Sequence, residues 1–239
     1  MTLRFLISFL LPSMALAQKH RAEEPAASPT SAPTTAKAPA HELVPTKETV
    51  DDAAEQKIAD ARPYKLQGRG SDGKIVDAAG QVVLEGDPKV GIYGGTASPD
   101  GKSVLVYYGD ANYEILNPVT KERLRLPSEP PGKNKLGFGF YWIDNDTLLG
   151  ASGDLKLDRR GQPVRDDDNV ARTRLYLYHL ANHTLEELKI PVPPDVKQVF
   201  VSSVTSTGLI HLMHDDPGSK RPEDLGWFKA RAQSASRPK

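Results

Sequence analysis

The strongest constraint on this chain is a turn that opens a run of closely spaced strands. In Ser98-Pro99-Asp100-Gly101-Lys102 the proline fixes one backbone dihedral and the glycine accepts a positive one, which makes a tight turn. Ser103-Val104-Leu105-Val106-Tyr107-Tyr108 follows, and its β-branched and aromatic residues favour a strand. Next come Tyr113-Glu114-Ile115-Leu116, the turn Asn117-Pro118-Val119-Thr120, and Arg123-Leu124-Arg125-Leu126 closed by Pro127. Counting the segment before the turn, this makes four short strands in roughly 35 residues.

The pattern returns at Phe138–Ile143, with the turn Asp144-Asn145-Asp146 and then Thr147–Ala151, and again at Thr173–Leu180 and Leu185–Ile190. A third start lies at Val199-Phe200-Val201, with Ser206-Thr207-Gly208 as its turn before Leu209–Met213. The first turns fall near residues 101, 146 and 208, and subtracting a polar insertion of about 17 residues leaves a period close to 45, as in propeller blades. Val104–Tyr108 and Leu175–Leu180 are apolar or aromatic at successive positions, so both faces of these strands need cover. Stacked blades provide that cover, as would the middle strands of a layered sandwich.

Thr96-Ala97-Ser98-Pro99-Asp100-Gly101-Lys102 followed by an apolar strand resembles the repeat of the TolB and prolyl-oligopeptidase type β-propellers, a WD40-like repeat. Asp144-Asn145-Asp146 and Ser206-Thr207-Gly208 stand at the corresponding turns. The resemblance implies a periplasmic or extracellular propeller that works by binding proteins or presenting a channel mouth. Fold class is therefore expected to be all-β, with about three four-stranded blades. These would form an open arc, close through a shared blade, or make half of a dimeric propeller. In the shared-blade version, Ile75-Val76-Asp77 and Gln81–Glu85 complete a blade begun by residues 198–213.

Composition shifts divide the chain. Arg4, the apolar run Phe5–Leu11 and Ala15-Leu16-Ala17 predict a signal peptide over residues 1–17, with cleavage between Ala17 and Gln18. As a helix, residues 5–17 would reach about 20 Å against a hydrocarbon core of about 30 Å, so no span is expected after cleavage. With no cysteine to carry a lipid, a lipoprotein is not expected. Residues 18–62 read as a disordered linker, since 15 of the 16 residues from Pro25 to Ala40 are Pro, Ala, Ser or Thr. A short helix is expected within it at 50–61. Residues 63–214, with 12 of the chain's 16 aromatic side chains, form the folded domain, and 215–239 a polar tail.

The 31 basic and 31 acidic residues cancel, which excludes a strongly basic nucleic-acid binder, and the missing thiols exclude disulfide and zinc–cysteine scaffolds. His179 and His183 are four apart, but on a strand and its turn that spacing does not bring the rings together; His211 and His214 could join them as weak metal candidates. The insertion carrying Asp158, Arg159, Arg160, Arg165, Asp166, Asp167 and Asp168 does not match a calcium loop and balances its own charge. As an outsize loop on a repeat scaffold it is a candidate partner contact, as are Trp227 and Phe228 in the tail. No nucleophile elbow or phosphate loop is present, so no catalytic residue, cofactor or metal is assigned.

The expectation is a secreted or periplasmic noncatalytic module binding a protein or cell-envelope polymer, with homodimerisation as one route to closure. The alternatives are a small envelope hydrolase, a metal-dependent enzyme, or a carbohydrate-binding module using aromatics such as Tyr107, Tyr108, Tyr141, Trp142, Tyr176 and Tyr178.

Overall fold

The computed structural model describes residues 41–164, 170–192, 196, 198–214 and 222–232. Among the described residues fifteen strands make four antiparallel sheets in a blade-like arrangement that does not close, with one helix outside them. Blade I is β2 (Tyr64–Gln67), β3 (Lys74–Asp77) and β4 (Val82–Glu85); blade II runs from β5 (Gly94–Ala97) through β6 (Val104–Tyr107) and β7 (Tyr113–Leu116) to β8 (Arg123–Arg125). Blade III is β9 (Gly139–Trp142), β10 (Thr147–Leu155), β11 (Val170–His179) and β12 (Thr184–Leu188). Blade IV joins β13 (Val199–Val204), β14 (Ile210–His214) and β15 (Glu223–Ala232) to β1 (His41–Pro45).

The apolar runs are explained by burial on both faces. Val104 and Val106 of β6 pack with Ile75 and Ile92 of the blade I side, whereas Leu105 between them joins Phe138, Phe140 and Leu148 of blade III. On β10 the neighbours Leu148 and Leu149 are both fully buried, the first among blade II residues and the second among Leu43, Val199, Ile210 and Phe228 of blade IV. Burying one such side chain contributes about 1.5–3 kcal/mol, so each interior strand stabilises two interfaces.

Two boundaries differ from the sequence reading. His41–Pro45, expected in the linker, pairs along its whole length with β15, and Leu43 is 1% exposed. Glu223–Ala232, expected in the polar tail, is the longest strand of blade IV. Both carry too few apolar residues to announce a strand, because one face of each lies toward solvent. The shared blade consequently uses other partners: β3 and β4 pair with β2 instead of residues 198–213, which pair with β15, and these two added strands raise the number of sheets to four.

Helix α1 (Asp52–Asp60) has Asp51 as its N-cap, the carboxylate accepting from the amides of Ala53 and Ala54, and buries none of its residues. Its Glu55 reaches blade IV, accepting from the Ser206 amide at 2.8 Å and hydroxyl at 3.0 Å. Among the described residues no helix is long and apolar enough to cross a membrane. Residues 1–40, including the expected signal and its Ala17–Gln18 cleavage point, lie outside them.

Candidate functional site

A shallow cleft of about 330 Å³ lies where blade II meets the connection leaving blade I, lined by apolar, aromatic and charged side chains. The β4–β5 connection supplies Asp87 and Val90; the β6–β7 hairpin supplies Tyr108, Asn112, Tyr113 and Glu114; β8 supplies Arg123 and Arg125. The register places Glu114 opposite Arg125 and Leu116 opposite Arg123, so the carboxylate and both guanidinium groups share one face of the sheet. That face is apolar at Val104, Val106 and Leu116, where Ile75 covers it, and becomes charged toward the outer strand.

The loop beside the cleft is conformationally costly. Gly109, Asp110 and Ala111 have φ of 91°, 47° and 57°, three successive residues in the left-handed region that non-glycine side chains disfavour. The Asn112 amide donates to the Gly109 carbonyl at 2.8 Å and the Tyr108 amide to the Asn112 carbonyl at 2.9 Å, and these bonds hold the bend that sets Asn112 in the cleft wall.

Charges within the cleft are partly engaged. Tyr108 donates to Glu114 at 3.1 Å, and Arg123 lies 3.7 Å from the same carboxylate. Burial, reinforced by Glu114, pushes the Tyr108 phenol up to about 12, so it remains a neutral donor. Arg125 donates only to the Asn112 side-chain carbonyl, at a long 3.4 Å, and forms no ion pair among the described residues. Asp87 turns inward on its own loop to accept from the Lys89 amide at 2.7 Å. The result is an exposed guanidinium beside neutral phenols and the half-exposed Val90, with Asp87 also lining the cleft.

The sequence-chosen residues do not assemble here. His179 and His183 are separated as their strand-and-turn placement requires: His179 lies 3.7 Å from Glu186, whose other oxygen contacts His41 at 2.8 Å, while His183 meets the Tyr178 hydroxyl at 3.2 Å. His211 and His214 belong to blade IV; the first contacts Asp224 at 2.8 Å and stacks on Trp227 with ring centroids 4.6 Å apart, and the second faces Glu223 at 3.7 Å. Among the described residues no three His, Asp or Glu side chains form a metal-binding group.

Trp227 and Phe228 are not held out on a free tail, because both lie within β15; Phe228 is 4% exposed in the blade III–IV core. In the insertion, Asp158 accepts from the Arg160 and Gln162 amides, making a tight turn with Arg159 and Arg160 exposed at its tip. Arg165, Asp166, Asp167 and Asp168 lie outside the described residues. At the root of this hairpin, Arg174 grips both oxygens of Asp154 and reaches Glu187, while Lys135 also contacts Asp154. The Arg174 hydrogen bonds hold the Asp154 carboxyl below its usual range.

The aromatics mostly serve packing. Trp142, Tyr176 and Tyr178 are buried, and Tyr107 and Tyr113 stack at 4.6 Å, each covering a face that a sugar platform would need open. The cleft residues other than Tyr108 escaped the sequence reading. Their only signal was the alternation of Arg123 and Arg125 around Leu124, which places two cations on one face of a strand.

No protein-family model and no curated protein matches the sequence. Solved structures with a similar shape include a dipeptidyl peptidase 4 from Porphyromonas gingivalis, at 13% identity over 70% of this chain, with TM-score 0.39. An oligogalacturonate lyase from Vibrio parahaemolyticus is 16% identical over 71% of this chain with TM-score 0.41. An oligogalacturonate lyase in complex with manganese is 13% identical over 71%, with TM-score 0.34. The chain spans 31%, 49% and 63% of those three chains, in the same order.

Proposed function

We propose that this chain is a secreted or periplasmic, noncatalytic propeller-like module with TolB-type repeats, and that it binds another protein of the cell envelope through the cleft between blades I and II. The observation that carries the reading is the grouping of Arg125, Tyr108, Asn112 and Val90 around one shallow concavity. Arginine and tyrosine beside an exposed apolar side chain make the kind of surface on which protein contacts concentrate their energy. The strained Gly109–Ala111 bend supports the same reading, since backbone strain tends to persist where it positions a functional group. The leader-like residues 1–17 and the Ser98–Lys102 turn support the location and the repeat type.

The test is in-cell crosslinking followed by capture from the envelope fraction of the source organism, using the full chain and its Arg125→Glu and Val90→Asp variants. Both side chains are exposed, so neither change should disturb folding. The expected result is one protein recovered with the wild type and reduced at least about tenfold with either variant, the loss that follows from removing a contact worth about 1.4 kcal/mol. Equal recovery with all three removes the cleft from the proposal. Recovery of nothing specific removes the binding function.

A further inference from the structure

The charges on the blade II face of the cleft are unequally paired. Glu114 lies directly across the ladder from Arg125, the position from which opposite charges ordinarily meet. Its carboxylate turns instead to other neighbours, accepting from the Tyr108 hydroxyl at 3.1 Å and lying 3.7 Å from the Arg123 guanidinium, which stands opposite Leu116. Only 25% of the Glu114 side chain is left exposed. Across the cleft, the Asp87 carboxylate accepts from the Lys89 amide at 2.7 Å. Arg125 is left with one bond among the described residues, to the Asn112 Oδ1 at 3.4 Å, longer than a strong N–H···O bond. The same Asn112 side chain is steered from its other end, because its Nδ2 donates to the carbonyl of Asp110, one of the left-handed residues of the bend.

We infer that Arg125 receives an acidic side chain of the partner protein, within a segment whose adjacent residue is apolar and packs on Val90. A guanidinium presents its donors as a planar fork that fits a carboxylate at two points, and one long bond to Asn112 leaves that capacity in place. The ligand's charge follows from the groups around it. Arg123 already has Glu114, so one cation remains for one monoanion, whereas a phosphate, with about two negative charges at neutral pH, would be repelled more strongly by Asp87 and Glu114 in the same cleft. The source of the carboxylate follows from the donors. Chain-terminal carboxylates are captured by clustered backbone amides, but the bend beside Arg125 uses the amides of Tyr108 and Asn112 on its own carbonyls. Side chains therefore make the contact, and the shallow cleft lets a continuous segment cross it, with the half-exposed Val90 as the apolar wall.

This inference rests on the reading that the cleft binds a protein, and its test is separable from that reading. The probes are four short peptides: Leu-Glu-Leu with both ends blocked, the same peptide with Gln or phosphoserine at its centre, and Leu-Gln-Leu with a free carboxyl end. Each is titrated into the isotope-labelled full chain, and NMR reads the Arg125 Nε–H and Val90 methyl signals. The expected result is saturable movement of both signals with the Glu peptide, which binds at least about tenfold more tightly than the Gln peptide and more tightly than the other two. Arg125→Gln is expected to abolish the preference for Glu over Gln, and Glu114→Gln, which removes a resident negative charge, to improve binding of the phosphoserine peptide. Equal binding of the Glu and Gln peptides, a Glu preference that survives Arg125→Gln, tighter binding of the phosphoserine or free-carboxyl peptide to the wild type, or no saturable binding overturns the acidic contact. If Arg125→Glu still reduces capture of the envelope partner in those cases, the cleft remains a protein-binding site that works by another chemistry.

Discussion

Replacing Leu43 by alanine tests the principal departure of the structure from the sequence. The side chain is 1% exposed and lies in the cluster formed by Leu149, Leu175, Leu188, Ile210 and Phe228, the seam between blades III and IV. Truncation removes about two to three methylene equivalents of buried apolar volume, roughly 2 kcal/mol at about 0.8 kcal/mol each. Incomplete collapse of the surrounding side chains adds a cavity cost, giving a total of about 3 kcal/mol within the 2–5 range for such changes. The backbone limits relaxation, because β1 pairs with β15 over five residues and the Leu43 amide donates to the Lys189 carbonyl at 3.0 Å. Urea unfolding monitored by tryptophan fluorescence reads the difference directly, and heating should lower Tm by roughly 6–12 °C for a chain of this size. If 41–45 were linker, the substitution would fall within about 0.5 kcal/mol of wild type. A change that small would refute the placement of β1.

Other consequences follow from particular contacts. Gly208→Ala should destabilise by about 2 kcal/mol, since φ there is +79° and a Cβ would stand 2.7 Å from the Ile143 carbonyl oxygen; thermal melting checks it. Asp154→Asn should cost most above pH about 4, where the unfolded carboxyl is ionised. Because Arg174 depresses the folded-state value, the wild-type advantage is lost as pH falls through that lower value, and urea midpoints across an acid series should converge at the bottom. Ultraviolet titration of the phenols should show one fewer group ionising near pH about 12 in Tyr108→Phe. With a folded value above the unfolded one of about 10, Tyr108 favours the unfolded state as pH rises past that point, so the variant should lose less stability in alkali than wild type.

How much of this was legible in the sequence depends on what each signal measures. The strands of blades II and III declared themselves because both faces are buried, so Val104-Leu105-Val106 and Leu175–Tyr178 read as continuous apolar runs. Strands β1 and β15 bury one face, and along β1 only Leu43 is fully enclosed, so their composition resembles a loop. Their pairing spans almost the whole described chain, and no local pattern encodes which distant segment a strand will meet. The cleft was illegible for a related reason. Arg125 acquires its role from a register opposite Glu114 and from the approach of Asp87 across the gap between two blades. The histidines behave as their strand-and-turn placement implied, with the His179 ring directed to the Glu186 carboxylate and the His183 ring to the Tyr178 hydroxyl.

The period of about 45 residues turns out to have a mechanical meaning beyond counting blades. Residues at the same phase of the repeat touch each other: Pro63 meets Gly101, Asp100 meets Asn145, and Ile143 meets Gly208. Helix α1 then carries the series back from blade I to Ser206 of blade IV through Glu55. Four sheets that do not close by strand pairing are thus linked all the way round at one end, by turns and a helix. At the other end contacts also join successive blades, since Gly70 bridges to Ile92, the Phe138 amide donates to the Ser128 carbonyl at 2.8 Å and the Val199 amide to the Thr173 hydroxyl at 3.0 Å, and the Arg125 cleft opens at that end. Contacts at both ends therefore limit how far the blades can separate.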